Sequence, residues 1–405
     1  MSRKASDGPA TLESDALAWV LGVPASDDFV AQHLGRTWFH ARSEERDRFA
    51  KLLSLEQLDE VLGTHGGRHP GIGLVRADQN IPVSEYVWRD SMVDPAQVAR
   101  LFAEGATVMF NALQDRHEGT RQLCTAMTRQ VGARSQTNIY LTPPDSQGFK
   151  PHWDSHDVYV IQVEGSKRWR IYGGGFERPL QDQKFDSARH TVGDVEAEFT
   201  LVAGEVLYIP RGVTHAATTT EEISLHITLG VMPYTWADLV ADCLSEIVER
   251  MPSWRDNVPF GFGRGDERLA DLHEQLGRKL GGLTDEVDLL RVVSERQRSF
   301  DASLRPRADD LMRQALGAAD VCERDHLRWR TGSTGRLERR EGRVAWVGVS
   351  REVEFPAAAT RTLEHLISGN PIRAGEVDDG LDWESRRVVL ATLIREGLVA
   401  RASVP

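Results

Sequence analysis

The spacing of apolar residues changes period along this 405-residue chain, and each change marks a boundary. Residues 12–130 carry apolar positions at three- and four-residue intervals and read mainly as helices with short connections. These are 12–21, a segment entered through Ser26-Asp27-Asp28 ahead of Phe29, Val30 and Leu34, then 55–62, and one opened by Asp94-Pro95 and running to Leu101-Phe102. From Thr107-Val108-Met109-Phe110 onward the period shortens to that of strands. Runs at 135–141, 152–163, 167–172, 198–202, 205–209 and 223–231, separated by Gly, Pro and Asp, predict many short strands and hence a closed antiparallel barrel or jelly roll.

After Pro233 the helical period returns. Trp236, Leu239, Val240, Cys243, Leu244, Ile247, Val248 and Met251 form one long apolar stripe, closed by Pro252. A Gly-rich loop at 259–265 separates it from a second stripe, Leu269, Leu272, Leu276 and Leu280. Such stripes need a partner, either the barrel or the same helices of a second copy, and a homodimer is the preferred reading. The tail from about Leu327 predicts a hairpin over 336–355, helices over 357–367 and 384–395, and a final Gly397-Leu398-Val399, an order resembling a winged helix. Its second helix carries Glu384, Arg386, Arg387 and Arg395 among apolar residues with no dense basic run, so it favours protein contact over nucleic acid.

The expected organisation is α+β: a mainly helical segment, 1–104, leading into and packing on the barrel, the barrel itself at 105–232, a helical dimerisation region at 233–310, and a winged-helix-like domain at 311–405. A net charge of −12 argues against broad binding to nucleic acid and suits a basic partner better. No apolar run is long enough to cross a bilayer and residues 1–11 lack the apolar core of a signal peptide, so the expected location is the cytoplasm. Cys124, Cys243 and Cys322 are widely separated and read as buried small apolar residues rather than as a disulfide framework or thiolate metal site. Lysine is scarce, confined to positions 4, 51, 150, 167, 184 and 279, which makes the position of each more noticeable.

Candidate chemistry concentrates in the strand-rich stretch. In an extended chain side chains alternate faces, so His152 and Asp154 point one way while Trp153 points back. A third ligand must come from a strand folded alongside, and His215 follows the turn-like Pro210-Arg211-Gly212. Two histidines and one carboxylate on one face leave positions of an octahedral ion open, the arrangement of non-haem Fe(II) oxygenases. Lys167 shares a face with Trp169 and Ile171, and a lysine among apolar residues costs several kcal/mol unless it meets an anion, which a cosubstrate carboxylate would provide. The alternative is an edge-strand lysine reaching solvent. Asn138 and Tyr140 also share a face and could bond the same carboxylate, or Tyr140 could simply make an ordinary buried hydroxyl bond. His156, His226 and Thr228 are weaker candidates, for the surroundings of the site or for the core, and neither histidine is taken as a ligand.

Together Asn138-Ile139-Tyr140-Leu141-Thr142-Pro143, Ser146-Gln147-Gly148-Phe149, His152-Trp153-Asp154-Ser155-His156-Asp157-Val158, 162–170, Tyr208-Ile209-Pro210-Arg211-Gly212-Val213-Thr214-His215 and Ser224-Leu225-His226-Ile227-Thr228 resemble the Jumonji-C (JmjC) ribosomal oxygenases, cupin-like 2-oxoglutarate hydroxylases. The resemblance covers roughly 105–232, and the order of helical region and winged helix behind it is similar as well. It implies a double-stranded β-helix, Fe(II) held by His152, Asp154 and His215, and 2-oxoglutarate whose distal carboxylate pairs with Lys167 and Tyr140, with Asn138 and Thr228 lining the pocket. It further implies dioxygen-dependent hydroxylation of an amino-acid side chain in a protein or peptide, with a ribosomal protein as candidate. The chain departs from the family at Gly230, where the eukaryotic histidyl hydroxylases tend to carry serine, and at Lys167, where the bacterial arginyl hydroxylase tends to use arginine. Alternatives are a tailoring hydroxylase of a biosynthetic peptide or small metabolite, a lysyl demethylase, and a non-catalytic cupin and winged-helix regulator, whose sign would be salt-sensitive DNA retention.

Overall fold

The structure, a computed structural model, describes residues 11–64, 67–76, 79–146, 149–258, 267–304, 310–330, 332–348, 351–368, 371–377 and 380–401. Residues 1–10, Gln147-Gly148 and the Gly-rich loop 259–265, all singled out above, lie outside the described residues. The chain forms two compact units, Met1–Tyr234 and Thr235–Pro405.

The first unit is built on nine antiparallel strands: β1 (Phe39–Ala41), β2 (Ile72–Arg76), β3 (Gln79–Asn80), β4 (Thr107–Phe110), β5 (Arg134–Thr142), β6 (Asp157–Tyr172), β7 (Val195–Val202), β8 (Val206–Ile209) and β9 (Thr214–Met232). Their order is β1-β8-β6-β9-β5-β4-β2-β3, with β7 also pairing β6. β6 and β9 bend together: 158–162 pair with 226–230, the register shifts through Glu164 and Gly165, and 167–172 then pair with 214–219. Gly165 makes the corner possible, since it lies at φ +63° and a Cβ there would stand 1.7 Å from the Ile223 carbonyl oxygen. Two long bent strands wrapped in this way give the expected cupin-type barrel.

Period-two alternation explains why 158–163 is buried throughout. Tyr159, Ile161 and Val163 join Ile139, Leu225, Ile227 and Leu229 on the outer face, in the core shared with the N-terminal helices. Val158 and Val160 face inward with Trp169, Ile171, Leu201, Leu207 and Ile209. The covering helices are α1 (Ala16–Leu21), α2 (Asp27–Gln32), α3 (Leu55–Leu62), α4 (Pro95–Ala103) and α5 (Glu118–Val131). α3 starts at a Ser54/Gln57 capping box and α4 at Asp94, which accepts bonds from the Ala96 and Gln97 amides. Ser26 does precede α2 but makes no cap bond, because its hydroxyl bonds Asp15 instead.

Several expectations need correction. The strands expected at 152–163 and 167–172 are one continuous strand, and it begins only at Asp157; His152 is held by an isolated bridge, with residues 153–156 outside any ladder. The mainly helical region also contributes β1, β2 and β3, of which β2 is a short apolar run that pairs with β4. Cys124 and Cys243 are buried, but Cys322 is exposed, in a surface turn where its amide donates to Asp325 Oδ2.

The second unit has helices α6 (Trp236–Arg250), α7 (Glu267–Gly281), α8 (Leu283–Glu286), α9 (Leu289–Ser303), α10 (Leu311–Leu316), α11 (Thr360–Ile367) and α12 (Trp383–Arg395). Its strands are β10 (His326–Trp329), β11 (Gly335–Arg340), β12 (Arg343–Gly348), β13 (Glu352–Pro356), β14 (Ile372–Arg373) and β15 (Val399–Arg401). The expected hairpin is a three-stranded meander, β11-β12-β13, and β14-β10-β15 form a separate sheet. α11 and α12 supply Leu363, Leu366, Val389, Leu390, Leu393 and Ile394 to the C-terminal core. In contrast α6 buries only Cys243 and Ile247 of its stripe, leaving Trp236 84 % and Val240 54 % exposed, and Leu269, Leu276 and Leu280 of α7 are exposed as well. Among the described residues no helix is long and apolar enough to cross a membrane.

Candidate metal and cosubstrate site

The site is assembled by backbone hydrogen bonds before any side chain acts. The His152 amide donates to the His215 carbonyl at 3.1 Å and the His215 amide to the His152 carbonyl at 2.8 Å, which sets the two residues directly opposite each other. Their rings lie 4.7 Å apart. Each ring is then oriented by its own chain: Nδ1 of His152 meets the Lys150 carbonyl at 2.8 Å and Nδ1 of His215 meets the Val213 carbonyl at 3.0 Å. Since a carbonyl only accepts, both Nδ1 atoms carry a proton, which makes Nε2 the ligand atom of each ring. Nε2 of His215 stands 3.6 Å from Asp154 Oδ2, and one ligand atom from each of His152, Asp154 and His215 lies within 4.8 Å of the others. Burial lowers the His215 pKa to about 4, with His152 acting in the same direction and Asp154 against it, so the ring is held neutral. Two imidazoles oriented to present Nε2 and a carboxylate beside them fit a divalent cation of the Fe(II) type.

Asp157, present in the motif but given no role by sequence reasoning, anchors the turn ahead of His215. Its buried carboxylate accepts from the Tyr208 hydroxyl at 3.1 Å and from the Arg211 amide at 3.0 Å, while the Tyr208 oxygen accepts from the Gly35 amide at 2.7 Å. Burial raises the Asp157 pKa, and those same bonds and Arg211 oppose it. A carboxyl directly before a strand of apolar residues was the signal available.

Lys167 is 5 % exposed and points into the barrel, as strand parity requires. Its ammonium donates to Thr142 Oγ1 at 3.3 Å, a neutral partner, and burial draws its pKa from the ordinary 10.5 to about 7. Near it two buried polar atoms, Nδ1 of His226 and Nε1 of Trp169, have no hydrogen-bond partner among the described residues. His226 is pushed well below its ordinary pKa by burial and then by Lys167, and it stacks on Tyr140 at 5.1 Å. The Tyr140 hydroxyl is pushed up by burial and by Asp154. A buried amine that meets no anion among the described residues, beside the unpartnered indole N–H of Trp169, fits an acidic cosubstrate.

Asn138, Tyr140 and Thr142 of β5 lie across from Thr228, His226 and Ser224 of β9, and Lys167, Trp169 and Ile171 of β6 across from Thr219, Ala217 and His215. All seven predicted residues are therefore on this unit's barrel strands or the segment leading into β6. Asn138 is partly committed, since its Oδ1 accepts from the Ala112 amide at 3.0 Å. Thr142 and Phe149 were missed; Thr142 continues the 138, 140 parity, and Phe149 sits 5.9 Å from both Tyr140 and His152. At Gly230 a Cβ would fall 2.6 Å from the His156 ring, so the imidazole occupies the space a side chain would take there.

Residues 111–239, which hold this fold and site, match the family model of the JmjC domain. The chain is similar, at 24 % identity over 98 % of its length and 85 % of the relative's, to the bifunctional lysine-specific demethylase and histidyl-hydroxylase NO66 of Dictyostelium discoideum. The protein of the same name from Drosophila yakuba is 32 % identical over 53 % of this chain, a match spanning about a third (32 %) of that relative's length. Among solved structures, the ribosomal oxygenase YcfD of Escherichia coli aligns over 93 % of this chain and 97 % of its own at 17 % identity and a TM-score of 0.49.

Proposed function

We propose that this protein is an Fe(II)- and 2-oxoglutarate-dependent dioxygenase that hydroxylates an amino-acid side chain of a protein or peptide. The observation that carries the reading is the convergence, inside one barrel, of His152, Asp154 and His215 with the buried ammonium of Lys167, which meets no anion among the described residues. Bound there, Fe(II), 2-oxoglutarate and dioxygen supply oxidation of a C–H bond to C–OH, with 2-oxoglutarate leaving as succinate and carbon dioxide. The chain's own residues bind and orient. His152, Asp154 and His215 are the metal ligands, and the carbonyls of Lys150 and Val213 fix the imidazole orientations. Lys167 pairs with the distal carboxylate of the cosubstrate and the Tyr140 hydroxyl donates to it, with Asn138 and Thr228 lining the same face. Phe149 and Trp169 wall the site against water.

The substrate is proposed to be a ribosomal protein, as an acidic chain of net charge −12 suits a basic partner, and the histidyl-hydroxylase name of the curated relatives points to a histidine as the side chain. Mass spectrometry of ribosomal proteins from wild-type and deletion strains is expected to reveal one protein lighter by a single oxygen in the deletion. Identical masses for every ribosomal protein would move the reading to a tailoring hydroxylase of another peptide or a metabolite.

The second unit is proposed to serve assembly and protein contact. The uncovered stripes on α6 and α7 support a homodimer, and the C-terminal module is read as winged-helix-like. Arginines on its meander and α12 are paired with Glu338, Glu352, Glu354 and Glu384, which leaves little basic surface for phosphates. Sedimentation is expected to give the mass of two chains, unchanged by added duplex DNA; a monomer, or DNA co-sedimenting at physiological salt, would contradict this.

A further inference from the structure

The ligand segment is weakly held by the barrel itself. Beyond the single bridge at His152, residues 153–156 belong to no ladder, and Asp154 is tied down through its carbonyl, which accepts from the Gly212 amide at 2.9 Å. What fixes the segment from behind is Trp153, which points away from the two ligands and is 3 % exposed. Its cover is the loop 173–194 between β6 and β7. Phe176 stacks on the indole at 5.3 Å, while His190 and Phe185 meet it edge-on at 5.1 and 6.0 Å. Phe185 and His190 also stack on each other at 5.7 Å.

Most of this loop is exposed, Pro179 being buried, and its ends are closed by the Gly173 amide on the Asp194 carbonyl and the Gly193 amide on the Gly173 carbonyl. It grips both ligand-bearing segments. The Phe176 amide donates to the Gly212 carbonyl at 2.9 Å, and the Ser155 hydroxyl to the Gln181 carbonyl at 3.3 Å. The approach is so close that Gly212, at φ +84°, has the Phe176 carbonyl oxygen 1.7 Å from where a Cβ would stand. A loop of this length, folded back onto the residue between two ligands, has a positional role to fill.

We propose that the loop 173–194 is an aromatic clasp that positions the metal ligands: by packing Phe176, Phe185 and His190 on Trp153 it keeps His152 and Asp154 turned toward His215. Phe185 and His190 are positioning residues, since the contacts they make here are with Trp153 and with each other. The inference rests on the metal-site reading above. Co(II), which accepts the same donor set and reports its geometry through its visible absorption, is the probe for the full-length protein. Phe185→Ala and His190→Ala are expected to weaken Co(II) binding by about 10- to 100-fold and to alter the shape of the Co(II) spectrum, while Phe185→Tyr, which keeps the ring, restores both. Either alanine variant serves if the other fails to fold. Folded variants with wild-type Co(II) affinity and spectrum would overturn the clasp alone. A wild-type protein that takes up no Co(II) would overturn the metal site and the clasp with it.

Discussion

His152→Ala is expected to lower succinate formation by at least about 1,000-fold, roughly 4 kcal/mol of transition-state stabilisation, without unfolding the protein. The two consequences separate because they depend on different atoms. The bridge between residues 152 and 215 is made by backbone groups, which alanine retains, and the side chain is only partly buried. Stability is therefore expected to change by no more than about 1 kcal/mol in a thermal melt. The imidazole, in contrast, supplies one of three ligands whose Nε2 is presented by a bond from Nδ1 to the Lys150 carbonyl. Retained turnover in a folded variant would remove His152 from the ligand set.

Lys167→Met is expected to stabilise the cosubstrate-free protein by a few kcal/mol while weakening 2-oxoglutarate binding about 100- to 1,000-fold. The ammonium is buried with a neutral hydroxyl as partner, so in the absence of the cosubstrate it is a cost that a methionine of similar length does not carry. Its folded-state pKa of about 7 lies below the 10.5 of the unfolded chain, so between those values the unfolded state holds more protons. The penalty is complete below about pH 7 and fades as pH rises toward 10.5. The stability gap between Lys167→Met and wild type should accordingly narrow with rising pH across that window. Bound 2-oxoglutarate should reverse the trend by restoring the lysine charge. A destabilised methionine variant, or one with wild-type cosubstrate affinity, would show that Lys167 has another partner.

The grouping of the candidate residues was legible because strand parity survives details of pairing. His152 and Asp154 share a side even though their segment is outside any ladder, and 138, 140 and 226, 228 alternate as expected on β5 and β9. Parity is a local property of extended backbone. The merging of two expected strands into β6 was not legible, because Glu164-Gly165-Ser166 reads as a turn, whereas the fold uses it as a corner within one strand. Nor was the role of Asp157, which depends on Tyr208 and Arg211, more than fifty positions away. The loop 173–194 looks like a polar connection in sequence, and its packing on Trp153 emerges only when β7 returns alongside β6.

The central claim, that one barrel joins a three-ligand iron site to a lysine-anchored 2-oxo acid, is tested most directly by anaerobic titration of the protein with Fe(II) and 2-oxoglutarate. Chelation of a 2-oxo acid to Fe(II) produces a visible charge-transfer absorption. The band is expected with wild type, absent in His152→Ala, and obtained in Lys167→Met only at about 100-fold or more higher cosubstrate. Folded wild-type protein that gives no band at saturating Fe(II) and 2-oxoglutarate would contradict the account.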